Sequence, residues 1–294
     1  MIALGISLFG LAVTVLSVVF FPVAPDPSPE LRPDPTPVPD PSVYRPVYPD
    51  DLPEDPPLLP LDPGDKPWLV FVIDDAGYNP GQLERFLQTP APMTIAVLPH
   101  LPYSEAASRS SATAGKEVIL HMPMEAYNSG ADPGPGAIFV GDSRSAIFDK
   151  TEAAFRSVPD AAGANNHMGS RVTGDYAAVA AFLDAMQALD SRKLFLDSRT
   201  TAASVAAEAA AQRGVPVVER DIFLDNDDTR AAIMQAIEAG KGLARRRGYA
   251  VMIGHVWSDE LGDIISELYP ELMEEGFHFG TLSELIAHLA DENR

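Results

Sequence analysis

Downstream of residue 67 the chain carries short apolar runs that are continuous rather than alternating: 68–73 (WLVFVI), 93–98 (MTIAVL), 117–121 (EVILH), 193–197 (KLFLD), 215–218 (VPVV) and 249–254 (YAVMIG). A strand that is apolar at every position has both faces covered, as in a parallel sheet flanked by helices. Amphipathic stretches lie between the runs. Residues 175–189 place Val179, Phe182, Leu183, Met186 and Leu189 on one helical face, and 258–273 do the same with Leu261, Ile264, Ile265, Leu268 and Leu272. Ser258 is suited to cap the second helix and Gly276 to end it, while Thr281 and Glu284 form a T-x-x-E capping box for a last helix. Arg245, Arg246 and Arg247 suit the final turn of another helix, where cations complement the dipole. This alternation predicts an α/β fold, either a barrel or an open doubly wound sheet.

Active sites of such folds collect at the carboxyl ends of the strands, so the polar residues that close each run are the candidates. The first run ends in Asp74-Asp75, the second in His100, the third in His121, the fourth in Asp197-Ser198 and the last in His255. His167, in the polar stretch Asn165-Asn166-His167-Met168-Gly169, belongs to a further strand end. Adjacent carboxylates repel, so Asp74-Asp75 calls for a cation or hydrogen bonds to offset the charge. Pro123 is expected to break the third strand and expose His121. Asp197 reads either as a turn residue or as a substrate-binding group, and His100, His278 and His288 read as peripheral.

The residues before Trp68 are of another kind. The run 2–21 is uncharged and apolar, about the length that spans a bilayer, and reads as a membrane anchor, with a cleaved signal peptide as the alternative. Between residues 22 and 67 lie 17 of the 28 prolines and ten carboxylates against three basic side chains, the composition of an extended, disordered spacer. The chain divides into an anchor (1–21), a spacer (22–67) and a catalytic-type domain (68–294). A formal net charge of −21 argues against a nucleic-acid partner. With no cysteine, any metal must be held by His, Asp, Glu or water.

The strings F-V-I-D-D-A-G-Y, L-H-M-P-M-E, N-N-H-M-G-S, F-L-D-S-R-T and I-G-H, in this order, resemble the divergent polysaccharide deacetylase family, relatives of the NodB-type carbohydrate esterases. The resemblance implies a distorted (β/α) barrel of about seven strands. It also implies a metal-dependent hydrolase of acetyl groups on a cell-envelope polysaccharide, facing the periplasm or cell exterior. By position, Asp74 would be the general base, Asp75 a ligand of a divalent metal, zinc by preference, and His255 the general acid. The esterases complete the metal site with H-x-x-x-H, whereas here His121 is followed at the fourth position by Glu125. The ligand set is then Asp75, His121 and His167, or alternatively Asp75, His121 and Glu125, with Asn165 and Asn166 orienting ligands or binding sugar hydroxyls. The alternative to an enzyme is an inactive barrel, tethered to the membrane, that binds a glycan or an envelope protein.

Overall fold

The computed structural model describes residues 66–292. The predicted anchor and nearly all of the predicted spacer lie outside the described residues, and among those described no helix is long and apolar enough to cross a membrane.

The chain alternates strands and helices: β1 (Trp68–Ala76), α1 (Pro80–Gln88), β2 (Thr94–Val97), α2 (Ser104–Thr113), β3 (Glu117–Met124), α3 (Arg144–Ser157), β4 (Gly163–Met168), α4 (Ser170–Thr173), α5 (Tyr176–Leu189), β5 (Leu194–Asp197), α6 (Ala206–Ala211), β6 (Val217–Glu219), β7 (Ile222–Phe223), α7 (Arg230–Arg247), β8 (Tyr249–His255), α8 (Asp259–Glu274), β9 (His278–Gly280) and α9 (Leu282–Glu292). The strands form one curled parallel sheet in the order β6-β5-β4-β3-β2-β1-β8-β7, with β9 added alongside β1. This is a distorted (β/α) barrel. Its nine described strands exceed the seven expected by β7 and β9, which at two and three residues are too short to read as apolar runs.

Strand periodicity divides the core in two. Val70 and Val72 of β1 pack with Ala96, Ile119, Leu196, Phe223, Val251 and Ile253 inside the barrel, while Leu69, Phe71 and Ile73 face the surrounding helices. Full burial of each valine, leucine, isoleucine or phenylalanine side chain among them contributes about 1.5–3 kcal/mol. Leu282 and Leu285 of α9 join the inner cluster and plug the barrel at the amino ends of the strands. The α9 entrance is anchored there by Glu117, whose carboxylate accepts from Leu282 N (2.9 Å) and Ser283 N (3.2 Å), an anion where the helix dipole favours one.

The helix boundaries follow local chemistry. Thr281 and Glu284 close the expected capping box, with Thr281 N donating to Glu284 Oε2 (2.9 Å) and Glu284 N to Thr281 Oγ1 (3.4 Å). Arg245, Arg246 and Arg247 occupy the last turn of α7. Ser258 sits at the N-cap of α8 but caps nothing: its hydroxyl is buried and makes no hydrogen bond. The predicted break at Pro123 is also corrected, since β3 runs on to Met124. Pairing with β2 stops at Val97–Leu120; beyond it β3 is bonded to β4 on one side and only through the Met124–Ile138 bridge on the other, an edge-like setting that tolerates proline.

Candidate active site

The inner faces of the strands lead directly to the site. Asp74 continues the row Val70, Val72; His121 follows Ile119; Ser198 follows Leu196; and His255 follows Val251 and Ile253. Asp75 belongs to the opposite face by this count. The β1–β2 register breaks between Ile73 and Ala76, and Asp75 takes a left-handed φ of 66°, so the bulge turns both carboxylates to the same cleft. That conformation is strained for a non-glycine residue, of the kind that collects at functional sites. Gly254, just before His255, has a packing reason: a Cβ there would lie 2.2 Å from Leu261 Cδ2, so glycine lets α8 close on the back of β8.

Around one cleft stand Asp74, Asp75, His121, His167 and His255, with Trp257 among its walls. His121 Nε2 lies 3.3 Å from Asp75 Oδ1, His167 Nδ1 lies 3.1 Å from the same oxygen, and the two nitrogens are 3.1 Å apart. Asp75 Oδ1 is buried and accepts no hydrogen bond. A nearly equilateral triangle of one orphaned carboxylate oxygen and two imidazole nitrogens fits a divalent metal, because ligands about 2.0–2.2 Å from such an ion sit at comparable separations from one another. His121 is held in the matching tautomer: Asn165 Nδ2 donates to Asp74 Oδ1 (2.8 Å) and lies 3.2 Å from Ser198 Oγ, so its carbonyl oxygen faces His121 Nδ1 at 2.7 Å. Nδ1–H is thereby spent and Nε2 presents its lone pair to the triangle.

The charges are set by burial and by one another. Burial raises the Asp74 pKa above the usual carboxylate value, with His121 and His255 opposing it in part. Burial acts the same way on Asp75, but the imidazoles of His167 and His121 outweigh it and hold this carboxyl well below the usual range. For His255 burial favours the neutral ring, yet the Asp225 carboxylate, at 2.9 Å from Nδ1, dominates and pushes the pKa up to about 9. Asp225 is buried and also receives the His255 backbone N–H (2.7 Å), so one carboxylate fixes both the position and the charge of the ring.

A folded-state value above the ordinary 6.5 means that protonated His255 stabilises the fold below about pH 6.5, and that this contribution is lost as pH rises through about 9. Asp225→Asn should lower the His255 pKa by about 1–3 units in an NMR titration of its imidazole. An unchanged titration would show that Asp225 does not govern the ring.

Several expected site residues are placed differently. Asp197 lies on the outer face of β5, fully buried, accepting from Arg199 N (2.8 Å) and Ser204 Oγ (2.6 Å); it shapes the turn after β5 and does not line the cleft. Of the two roles expected for Asn165, the structure fits the orienting one: the residue is fully buried and braces Asp74 and His121 rather than facing substrate. Asn166 borders the cleft, but its amide donates to Met168 O (2.7 Å) and accepts from Ser198 N (2.9 Å). Glu125 is not brought to the triangle: it pairs with Arg171 (2.7 Å) and accepts from Val140 N (2.8 Å). His100 is exposed, packed against Gly136, and His278 and His288 lie against Trp68. Asp225, Phe223 and Trp257 escaped the sequence reading. Asp225 follows the apolar triplet Ile222-Phe223-Leu224, a run too short to signal a strand.

A parallel barrel with two imidazoles and a carboxylate converging beside a second carboxylate and an Asp-oriented histidine is a barrel protein with a site suited to a divalent metal. The chain belongs to the divergent polysaccharide deacetylase family, whose sequence model it matches over residues 71–286. An uncharacterized protein of Haemophilus influenzae is 34% identical over 187 residues, 64% of this chain and 66% of that protein. The uncharacterized protein YibQ of Escherichia coli K12 is 36% identical over 188 residues, 64% of this chain and 58% of that protein. The matches thus span somewhat less than two thirds of each relative. The crystal structure of an uncharacterized protein from Agrobacterium tumefaciens C58 superposes with a TM-score of 0.71 at 21% identity, covering 78% of this chain and 92% of that one, a likeness of fold.

Proposed function

We propose that the protein is a metal-dependent hydrolase that removes acetyl groups from a cell-envelope polysaccharide, with zinc held by Asp75, His121 and His167. The observation that carries this reading is the triangle of Asp75 Oδ1, His121 Nε2 and His167 Nδ1 next to Asp74, whose Oδ2 is 3.6 Å from His121 Nε2. Zinc bound there would supply Lewis acidity for the acetyl carbonyl and lower the pKa of a water.

Asp74 takes the proton from the attacking water. Its Oδ1 is tied to Asn165, so the carboxylate is held with Oδ2 toward the triangle. As the C–N or C–O bond to the sugar breaks, His255, kept protonated by Asp225, delivers a proton to the departing amine or alcohol, leaving acetate and a free sugar group. Burial of Asp74, Asp75 and His121 keeps bulk water from screening these charges. The apolar run 2–21 and the proline- and acid-rich stretch 22–67, read as anchor and spacer, suit a domain held at the outer face of the cytoplasmic membrane and working on the envelope.

The test is acetate release from N- and O-acetylated envelope glycans by the full chain, with and without stoichiometric zinc. Zinc-dependent release is expected. Zinc bound at one equivalent with no release from any acetylated glycan, but with retained glycan binding, would replace the enzyme by a binding barrel.

A further inference from the structure

Trp257 follows His255 by two residues and is one of only two tryptophans in the chain. Its place is set by backbone bonds beyond the end of β8. Val256 N donates to Asp74 O (3.0 Å), continuing the β1–β8 pairing, and Ser258 N donates to His255 O (3.1 Å), closing a turn. The half-buried indole then makes two contacts with the site. Its Nε1–H donates to Asp75 Oδ2 (3.2 Å), and its ring stacks on the His255 imidazole at 4.8 Å between centroids and 18° between planes. On the other side His255 faces Phe223 at 6.0 Å and 12°, and the Arg220 guanidinium lies 3.8 Å above that phenyl ring. His255 is thus held between two nearly parallel aromatic rings.

A carboxylate has two oxygens that compete for the same cation. Here one of them, Oδ2, carries the indole hydrogen bond, while the other, Oδ1, is the orphaned atom of the triangle. We propose that Trp257 is a positioning residue that directs Asp75 Oδ1 to the metal and fixes the plane of His255, coupling the ligand to the proton donor; this rests on the metal-dependent reading above. An indole N–H donates and never accepts, so it cannot swap roles as a hydroxyl or water would, and it can address only one carboxylate oxygen. Hydrogen bonds from such outer partners to a ligating carboxylate typically carry about 10–100-fold in metal affinity.

The experiment uses the full chain and zinc alone. Trp257→Phe keeps a ring against His255 but has no N–H, and its zinc affinity, measured by chelator competition, should fall at least about tenfold. In 15N-labelled wild type the Trp257 indole resonance, assigned with Trp68→Phe, should move on zinc binding while that of Trp68 stays in place. Zinc affinity of Trp257→Phe within about twofold of wild type, against the loss expected for an outer-shell donor, would overturn the inference. So would an indole resonance of Trp257 that zinc leaves unmoved, a measurement that stands even where the variant does not fold. A wild type that binds no zinc would overturn the inference together with the hydrolase reading, whereas a zinc-binding wild type with an indifferent Trp257 would overturn the inference alone.

Discussion

Asp74→Asn should lower acetate release by about 10²–10⁴-fold while zinc remains bound at one equivalent, the range carried by a general base. The substitution is nearly isosteric, and Asp74 is not one of the three atoms of the triangle. The amide has no basic oxygen with which to take a proton from water. It also removes one of two neighbouring buried negative charges, which should weaken zinc binding somewhat but far less than the loss of a ligand, because Asp74 is not a member of the triangle. Zinc titration and steady-state kinetics on one preparation separate the two effects. A variant that keeps full turnover would remove Asp74 from the mechanism, and one that loses zinc would make it a ligand.

The second large effect is expected at the triangle itself. Asp75→Ala and His121→Ala should each abolish stoichiometric zinc binding, lowering affinity by more than the roughly 100-fold upper range of an outer-shell change. His121→Ala does more than remove a nitrogen. His121 faces Asp74 at 3.6 Å and Asp75 at 3.3 Å, and its own pKa is raised because these two carboxylates outweigh the effect of burial. Its removal leaves the adjacent carboxylates without the imidazole that lies against both of them and costs stability as well as metal. Asp75→Ala removes a charge that repels Asp74 and should be the milder of the two in thermal unfolding of the zinc-free protein. Metal analysis of the purified full-length variants gives the first reading and calorimetry the second. Wild-type zinc content in either variant would dissolve the proposed centre.

The corrections at single residues share a cause. In a continuous apolar run such as Leu194-Phe195-Leu196 nothing in the sequence marks which side chains face the barrel interior, so Asp197 and Ser198 were equally eligible. The packed structure gives the inner face to Leu194 and Leu196, hence to Ser198, and turns Asp197 to the outside. Asn165 is legible as a group that orients a ligand, but its hold on Asp74, 91 positions away in sequence, is not. Asp225 and Phe223 were hidden because β7 needs only two residues when β8 lies alongside to complete its hydrogen bonds.

The alternation of strand and helix, the parallel sheet and the set of polar groups that close the strands are all written in the order of residues, because burial on both faces and the exposed strand ends leave their mark residue by residue. That order also carries the motifs of the family. Which of those groups meet depends on long-range packing. Bringing Asp75 beside Asp74 takes a bulge and a left-handed backbone, and bringing His167 to His121 takes the β3–β4 register that sets Pro123 against His167. Seating Trp257 on Asp75 takes a turn 182 positions further along the chain. Each of these is a long-range pairing whose energy comes from the whole packed barrel, and no local stretch of residues encodes it.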